Sequence, residues 1–432
     1  MVDPALQEWL NLAPKPAPLD PNQRWHVFIS YRSVNRYWVL ELYDVLRDLG
    51  YSVFLDQYVL AAGEPLATTL GDELDASAAA VLVWSDSYET SEWCKKEFNY
   101  LEGRENKKTG FRYVIAKLDS TELPGFASGK IHVDFSQRRE GPGGSDVLRM
   151  LHGLAGKPLP EAAVKLASSI DEEINHARVQ IKAARECADV PRLLELAKST
   201  HLAWLNSPAL GCAVAEALIG LKANDAAIEI VSGLATRFPK TARPKQLWGL
   251  ALARKGDWRS AQTVLGELYF AGEIDPETLG IYARTWKDKY KETSDTVYLM
   301  KARDLYLRAF NAPPGNDYYT GINAASTSLL LGEKDKAAQI AERIEKIVGT
   351  QPIPDDYWKT ATVAEVQLLR ANFDKAAELY QAAVLVSPDD KGSLETTYTQ
   401  AKLLLDSLQA TPEQRAKVLA PFARVAVAKS AP

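Results

Sequence analysis

The 432-residue sequence predicts an α/β domain followed by an all-α array, and three observations carry that expectation. Up to about residue 155, short apolar runs alternate with amphipathic stretches, the pattern of a parallel sheet covered by helices. Beyond about residue 158 the strand signal stops and helical periodicity takes over, rich in Ala, Leu, Glu and Lys. In that second half a small residue near a helix start recurs at Ala227, Ala261, Ala302, Ala337 and Ala376, at intervals of 34, 41, 35 and 39 residues.

Residues 1–23, with KPAP, read as a short helix and a stiff linker. They carry neither a basic start nor a continuous apolar run, so no signal peptide is expected. Residues 24–157 form the α/β domain. WHVFISY (25–31), YSVFLD (51–56), AAAVLVWS (78–85), FRYVIAKLD (111–119) and KIHVDFS (130–136) read as its strands. Near-continuous apolar character, as in AVLVW, is what a strand buried on both faces requires. Between the first two, Val39, Leu42, Leu46 and Leu49 fall at helical spacing and Gly50 ends the pattern. Five strands with intervening helices predict a flavodoxin-like layout, in which ligands gather at the carboxyl ends of the strands. That edge collects Ser30, Tyr31 and Arg32, then Asp56, then Ser85, Asp86 and Ser87.

Residues 158–206 read as a helical connector, and residues 207–428 as repeats of two antiparallel helices, several ended by proline as in RFPKTARP, NAPPGND and TQPIPDD. Such a pair cannot bury its apolar face alone, so the units are expected to stack into an α-solenoid, by default a binding architecture.

Composition narrows the function. The chain is 46% apolar and 25% charged with a net charge of -5, which argues against nucleic acid as a partner. Cys94, Cys187 and Cys212 form no metal-ligand spacing, so no metal is expected and a reducing compartment is. No apolar run reaches the roughly 20 residues that span a bilayer, so the expectation is a cytoplasmic protein without membrane contact.

One short stretch carries candidate chemistry: SEWCKKEF, residues 91–98. With Ser91 as cap, Cys94, Phe98 and Leu101 form the core stripe of a helix, and Trp93 and Glu97 lie together along its edge. Each candidate has a plain alternative. Glu97 reads as a catalytic carboxylate or a solvated charge, and Trp93 as a pocket wall or packing against the sheet. Arg32 reads as an anion contact or an ordinary ion pair, and Asp56 as a hydrogen-bond acceptor or a turn cap. The first strand-to-helix turn, ISYRSVN, lacks the glycines of a redox dinucleotide site, so no dinucleotide cofactor is expected.

The order FISYR, then YSVFLDQYVLAAGEPL, then VLVWSDSYETSEWCKKEF resembles a TIR (Toll/interleukin-1 receptor) domain over roughly residues 24–155. The helical half resembles tetratricopeptide-type repeats. Its segment NDYYTGINAASTSLLLGEKDKAAQIAERI is similar to the partner-binding repeat region of apoptosis-signal-regulating kinases. TIR domains are of two functional kinds, interaction modules of immune signalling and NAD-cleaving glycohydrolases or cyclases. For the second kind the resemblance puts the catalytic glutamate at Glu97, with Phe28, Tyr31, Arg32, Asp56, Leu60 and Trp93 around the substrate. It implies that the loop after the second strand, with Tyr58, Gly63, Glu64 and Pro65, touches a neighbouring copy and completes the site there. A homo-oligomer, NAD+ as substrate and a protein partner or trigger on the repeats follow, in immune or antiphage defence. The alternative is a non-catalytic adaptor that assembles signalling complexes.

A single carboxylate is chemically adequate for NAD cleavage. Ordinary glycoside hydrolysis needs a carboxyl group to protonate the leaving oxygen. Nicotinamide in NAD is already cationic and leaves as a neutral molecule, so the remaining task is to hold the ribose and stabilise the positive charge that develops on it.

Overall fold

A computed structural model of the protein describes residues 11–32, 35–55, 66–89, 91–107, 110–136, 142, 144–205, 207–239, 241–272, 275–312, 317–354, 356–388 and 391–423. They fall into two compact units, Met1–Asp257 and Trp258–Pro432.

The first unit begins with β1 (Trp25–Ser30), α1 (Arg36–Asp48), β2 (Val53–Phe54), α2 (Leu66–Asp75) and β3 (Ser77–Trp84). It continues through α3 (Asp86–Glu89), α4 (Glu92–Asn106), β4 (Arg112–Lys117), β5 (Val133–Asp134) and α5 (Gly144–Leu154). The five strands pair in parallel in the order β2-β1-β3-β4-β5, the flavodoxin-like arrangement expected. The expected helix after β1 forms, and Gly50 follows it with a φ of +88° that side chains rarely adopt.

Period-two alternation sorts each strand onto two cores. Val27, Ile29, Val81, Val83, Val114 and Ala116 face α1 and α5, whereas Phe28, Leu82, Trp84, Tyr113 and Ile115 share the other face with Cys94 and Leu101 of α4. The α1 side does not end with the sheet domain. Its apolar cluster continues through α6 (Glu161–Glu186), α7 (Val190–Leu196), α8 (Leu202–Leu205), α9 (Ala209–Gly220), α10 (Asn224–Arg237) and α11 (Ala242–Lys255). On α6, Ala163, Ala167, Ile170, Ile174, Ala177, Ile181 and Ala184 make one buried stripe. A buried polar bond joins α1 to α11: the Thr241 hydroxyl at the α11 N-cap donates to Glu41 over 2.8 Å.

The second unit holds α12 (Trp258–Phe270), α13 (Pro276–Thr293), α14 (Thr296–Phe310), α15 (Tyr318–Leu330), α16 (Lys334–Val348) and α17 (Tyr357–Leu369). It closes with α18 (Phe373–Val386), α19 (Lys391–Ser407) and α20 (Pro412–Leu419). Asp275, Asp295, Asp317 and Asp356 cap the starts of α13, α14, α15 and α17 with their side chains. All five recurring alanines are fully buried. Lys222, Gly256, Gly332 and Ala371, each five residues before one of them, turn the chain with positive φ. Among the described residues no helix is long and apolar enough to cross a membrane.

Candidate active site

The sheet reverses its strand order around β1: β2 lies on one side, and β3, β4 and β5 on the other. A crevice therefore opens between the carboxyl ends of β1 and β3, where Ser30 is in register with Leu82. Three hydrogen bonds dress its rim. Asn35, just past β1, donates from Nδ2 to the Ser85 hydroxyl over 2.8 Å. Asp119, past β4, accepts from the Asp86 and Thr121 amides, each at 2.9 Å.

Into this crevice α4 brings Glu97. The helix starts where expected, with the Ser91 hydroxyl accepting from the Cys94 amide at 3.3 Å. Cys94 and Leu101 are buried, and the Phe98 ring lies 6.1 Å from that of Trp84, so the expected stripe fixes the rotation of the helix on the sheet. With that face committed, Glu97 comes to the strand ends half-buried, and its Oε2 accepts a hydrogen bond from the Ser30 hydroxyl. The Ser30 oxygen also lies 2.7 Å from the hydroxyl of Tyr88 on α3. Ser30 is 1% and Tyr88 0% exposed.

Burial first, and the negative charge of Glu97 second, hold the Tyr88 phenol well above its usual range, so it keeps its proton. Burial also pushes the Cys94 thiol up, against the weaker pull of the Ser91 hydrogen bond and, behind it, of Arg32. Cys94 is therefore a small core residue and no nucleophile.

The other sequence candidates divide. Phe28 is 1% exposed and stacks on Phe54 with ring centroids 5.0 Å apart, in the core beneath the crevice. Tyr31 and Arg32 are half-buried just past β1, where the Tyr31 carbonyl lies 4.0 Å from the Cys94 sulfur and Tyr31 packs against the α1-side core. The Trp93 side chain and residues Asp56, Tyr58, Leu60, Gly63, Glu64 and Pro65 lie outside the described residues. Sequence reasoning put Ser30 at the edge without giving it a partner, and it passed over Tyr88 and Asn35. The available signal was position: a serine closing the first strand, and a tyrosine in the SDSY turn directly after the third.

Two family models match separate parts of the chain. Residues 27–148 match the model for the TIR domain, and residues 223–330 match the model described as Tetratricopeptide Repeats-Sensor. The chain is 35% identical over 80 residues to the probable 2' cyclic ADP-D-ribose synthase BdTIR of Brachypodium distachyon, covering 18% of this chain and 36% of that one. With the probable 2' cyclic ADP-D-ribose synthase TcpB of Brucella melitensis it shares 29% identity over 90 residues, 21% of this chain and 36% of that one. It is also 29% identical over 126 residues to the mitogen-activated protein kinase kinase kinase nsy-1 of Caenorhabditis elegans, 27% of this chain and 8% of that one. The chain thus spans well under two thirds of the curated relatives it matches, from 7% to 36% of their length. A solved thermophilic TPR protein of Thermus thermophilus is 18% identical, with a TM-score of 0.37 over 45% of this chain and 97% of that one. The chain therefore joins a TIR domain to tetratricopeptide sensor repeats.

Proposed function

We propose that this protein cleaves NAD+ at the nicotinamide–ribose bond, with Glu97 as the catalytic carboxylate and the helical repeats as the element that governs the activity. The observation that carries the reading is the position of Glu97: a half-buried carboxylate tied to Ser30, the last residue of β1, at the reversal of strand order. Ligands of open α/β sheets bind at that point. The relatives named as cyclic ADP-ribose synthases support the same class of reaction.

The chemistry follows from the leaving group. The bond between ribose C1′ and the pyridinium nitrogen breaks with its electron pair going to nitrogen, so nicotinamide departs neutral and positive charge develops on the sugar. Glu97 accepts hydrogen bonds from the ribose hydroxyls and faces that charge, an interaction that strengthens toward the transition state. Water, or a hydroxyl of the same ADP-ribose, then adds at C1′ and loses its proton, giving ADP-ribose or a cyclic form.

Self-association completes the site in this reading, with the 56–66 loop of a neighbouring copy closing over the crevice. A protein partner or trigger on the repeats then controls assembly, in cytoplasmic immune or antiphage defence. Full-length protein incubated with NAD+ across a concentration series is expected to release nicotinamide with a rate per molecule that rises with concentration. Activity that survives Glu97→Ala removes Glu97 from its role. An assembled, folded sample that releases none points to the adaptor class.

A further inference from the structure

Tyr88 and Ser30 have a role that rests on the assignment of Glu97 above. Ser30 has one hydroxyl proton and, among the described residues, two side-chain neighbours within hydrogen-bond reach, Glu97 Oε2 and the Tyr88 hydroxyl at 2.7 Å. An ionised carboxylate only accepts, so the Ser30 proton goes to Glu97. The Ser30 oxygen must then be the acceptor of the second bond, and Tyr88 its donor. Direction along the chain is fixed by proton counting: Tyr88 to Ser30 to Glu97.

We propose that Tyr88 and Ser30 are positioning residues that hold the Glu97 carboxylate from the core side, so that it meets the ribose in one orientation. Three features support this. The chain is anchored on the scaffold, since Ser30 ends a central strand and Tyr88 is fully buried beside Trp84, with ring centroids 5.4 Å apart. The Tyr88 backbone is fixed in turn, its amide donating to the Ser85 hydroxyl over 3.3 Å. Finally, each hydrogen bond in a low-dielectric chain polarises the next, so the tyrosine strengthens the serine's grip on a carboxylate it never touches. Among the described residues, Tyr88 on α3 and Cys94 on α4 feel the charge of Glu97, and Tyr88 is linked to the carboxylate through Ser30.

Such a role differs from packing in a measurable way. Loss of the grip lets the carboxylate rotate, and misplacement of a reacting group by about 1 Å costs up to ~100-fold in rate. Ser30→Ala is therefore expected to lower kcat for nicotinamide release by about 30-fold, with KM changed by less than about 2-fold. Tyr88→Phe keeps the ring and its packing, and should lower kcat by about 5-fold. Because the tyrosine acts only through the serine, Tyr88→Phe added to Ser30→Ala should cost nothing further. Multiplicative losses in the double variant, or a rise in KM at unchanged kcat, overturn the proposal.

A second measurement separates this inference from the NAD reading. With 13C-glutamate labelling, the infrared difference between the parent protein and Glu97→Gln isolates the carboxylate stretch of Glu97. The band should shift in Ser30→Ala and, less, in Tyr88→Phe, whether or not the protein turns over NAD+. If the parent protein releases no nicotinamide but the bands move, the NAD reading fails and the donor chain stands. Should the Tyr88→Phe band coincide with that of the parent, the donor chain fails.

Discussion

Each compact unit ties a glutamate to a buried serine, and the two ties have different surroundings. In the first unit Ser30 donates to Glu97, and the groups behind the carboxylate are two neutral hydroxyls. In the second, Ser326 on α15 donates to Glu365 on α17, which also accepts from Gln400 Nε2 on α19 at 3.0 Å. Gln400 in turn accepts from Lys287 on α13 at 3.5 Å, so that one cluster spans four helices. Burial holds the Glu365 carboxyl above its usual range, against the pull of Ser326, Gln400 and Lys287. Burial, then the charge of Lys291, draws the Lys287 amine down to about 8. The contrast separates two uses of one bond. At Glu365 the protein answers the charge with its own cation and the arrangement is structural. At Glu97 the described anchor is a chain of two neutral hydroxyls, which suits the role proposed for it.

The largest effect expected from that contrast is on rate. Glu97→Gln preserves shape and removes the charge, and should lower nicotinamide release by about 1,000-fold. The urea midpoint should stay near that of the parent, since the carboxylate supports chemistry and not packing. A large loss of stability with little loss of rate would reverse the comparison. Glu365→Gln is the mirror experiment. Activity per assembled molecule should persist, while the loss of the charge that answers Lys287 should lower stability by about 2 kcal/mol in urea denaturation. The double variant Lys287→Met, Glu365→Gln should regain most of that loss, because the penalty lies in leaving one charge alone.

The two ties were not equally legible in the sequence. Five strands, the helix cap at Ser91 and the Cys94, Leu101 stripe follow from local periodicity, and they suffice to bring Glu97 to the strand ends. Repeat spacing likewise found the alanines that let the helices approach closely, all fully buried. What sequence could not supply is pairing across long separations. Ser30 and Glu97 are 67 positions apart, Ser326 and Glu365 39, and Lys287 and Gln400 113, and no period links them. Thr241 with Glu41, 200 positions apart, is the extreme case, and it belongs to an apolar cluster running from the sheet into the first repeat helices. Periodicity says which face of a helix is apolar and leaves open which neighbour covers it.

A smaller effect tests whether Lys287 is a structural charge. Its amine is drawn to about 8 in the folded protein against 10.5 for the ordinary group. Below pH 8 the lysine is protonated in both states, and the cost of holding its charge is fully present. Between about pH 8 and 10.5 the folded state gives up the proton first, so the unfolded state binds more protons and stability rises with pH. Relative to Lys287→Met, the parent should gain about 1–2 kcal/mol across that window, a figure set below the full shift because the residue as a whole is only half-buried. Parallel stability profiles for the two proteins would show that the amine is already well solvated.

The smallest effect compares the two serines directly. Ser326 is fully buried, and its hydroxyl is one of two donors to Glu365 Oε1. Ser326→Ala leaves Gln400 in place, so the carboxylate keeps a partner and the loss should be near that of one hydrogen bond to a charged group, about 1–2 kcal/mol. Nicotinamide release per assembled molecule should not change. Ser30→Ala removes the same chemical group from the same kind of bond, yet its expected signature is a fall in kcat. If both substitutions lower stability alike and neither alters the rate, then Ser30 is a structural tie like Ser326, and Glu97 loses the anchor on which its assignment as the catalytic carboxylate rests.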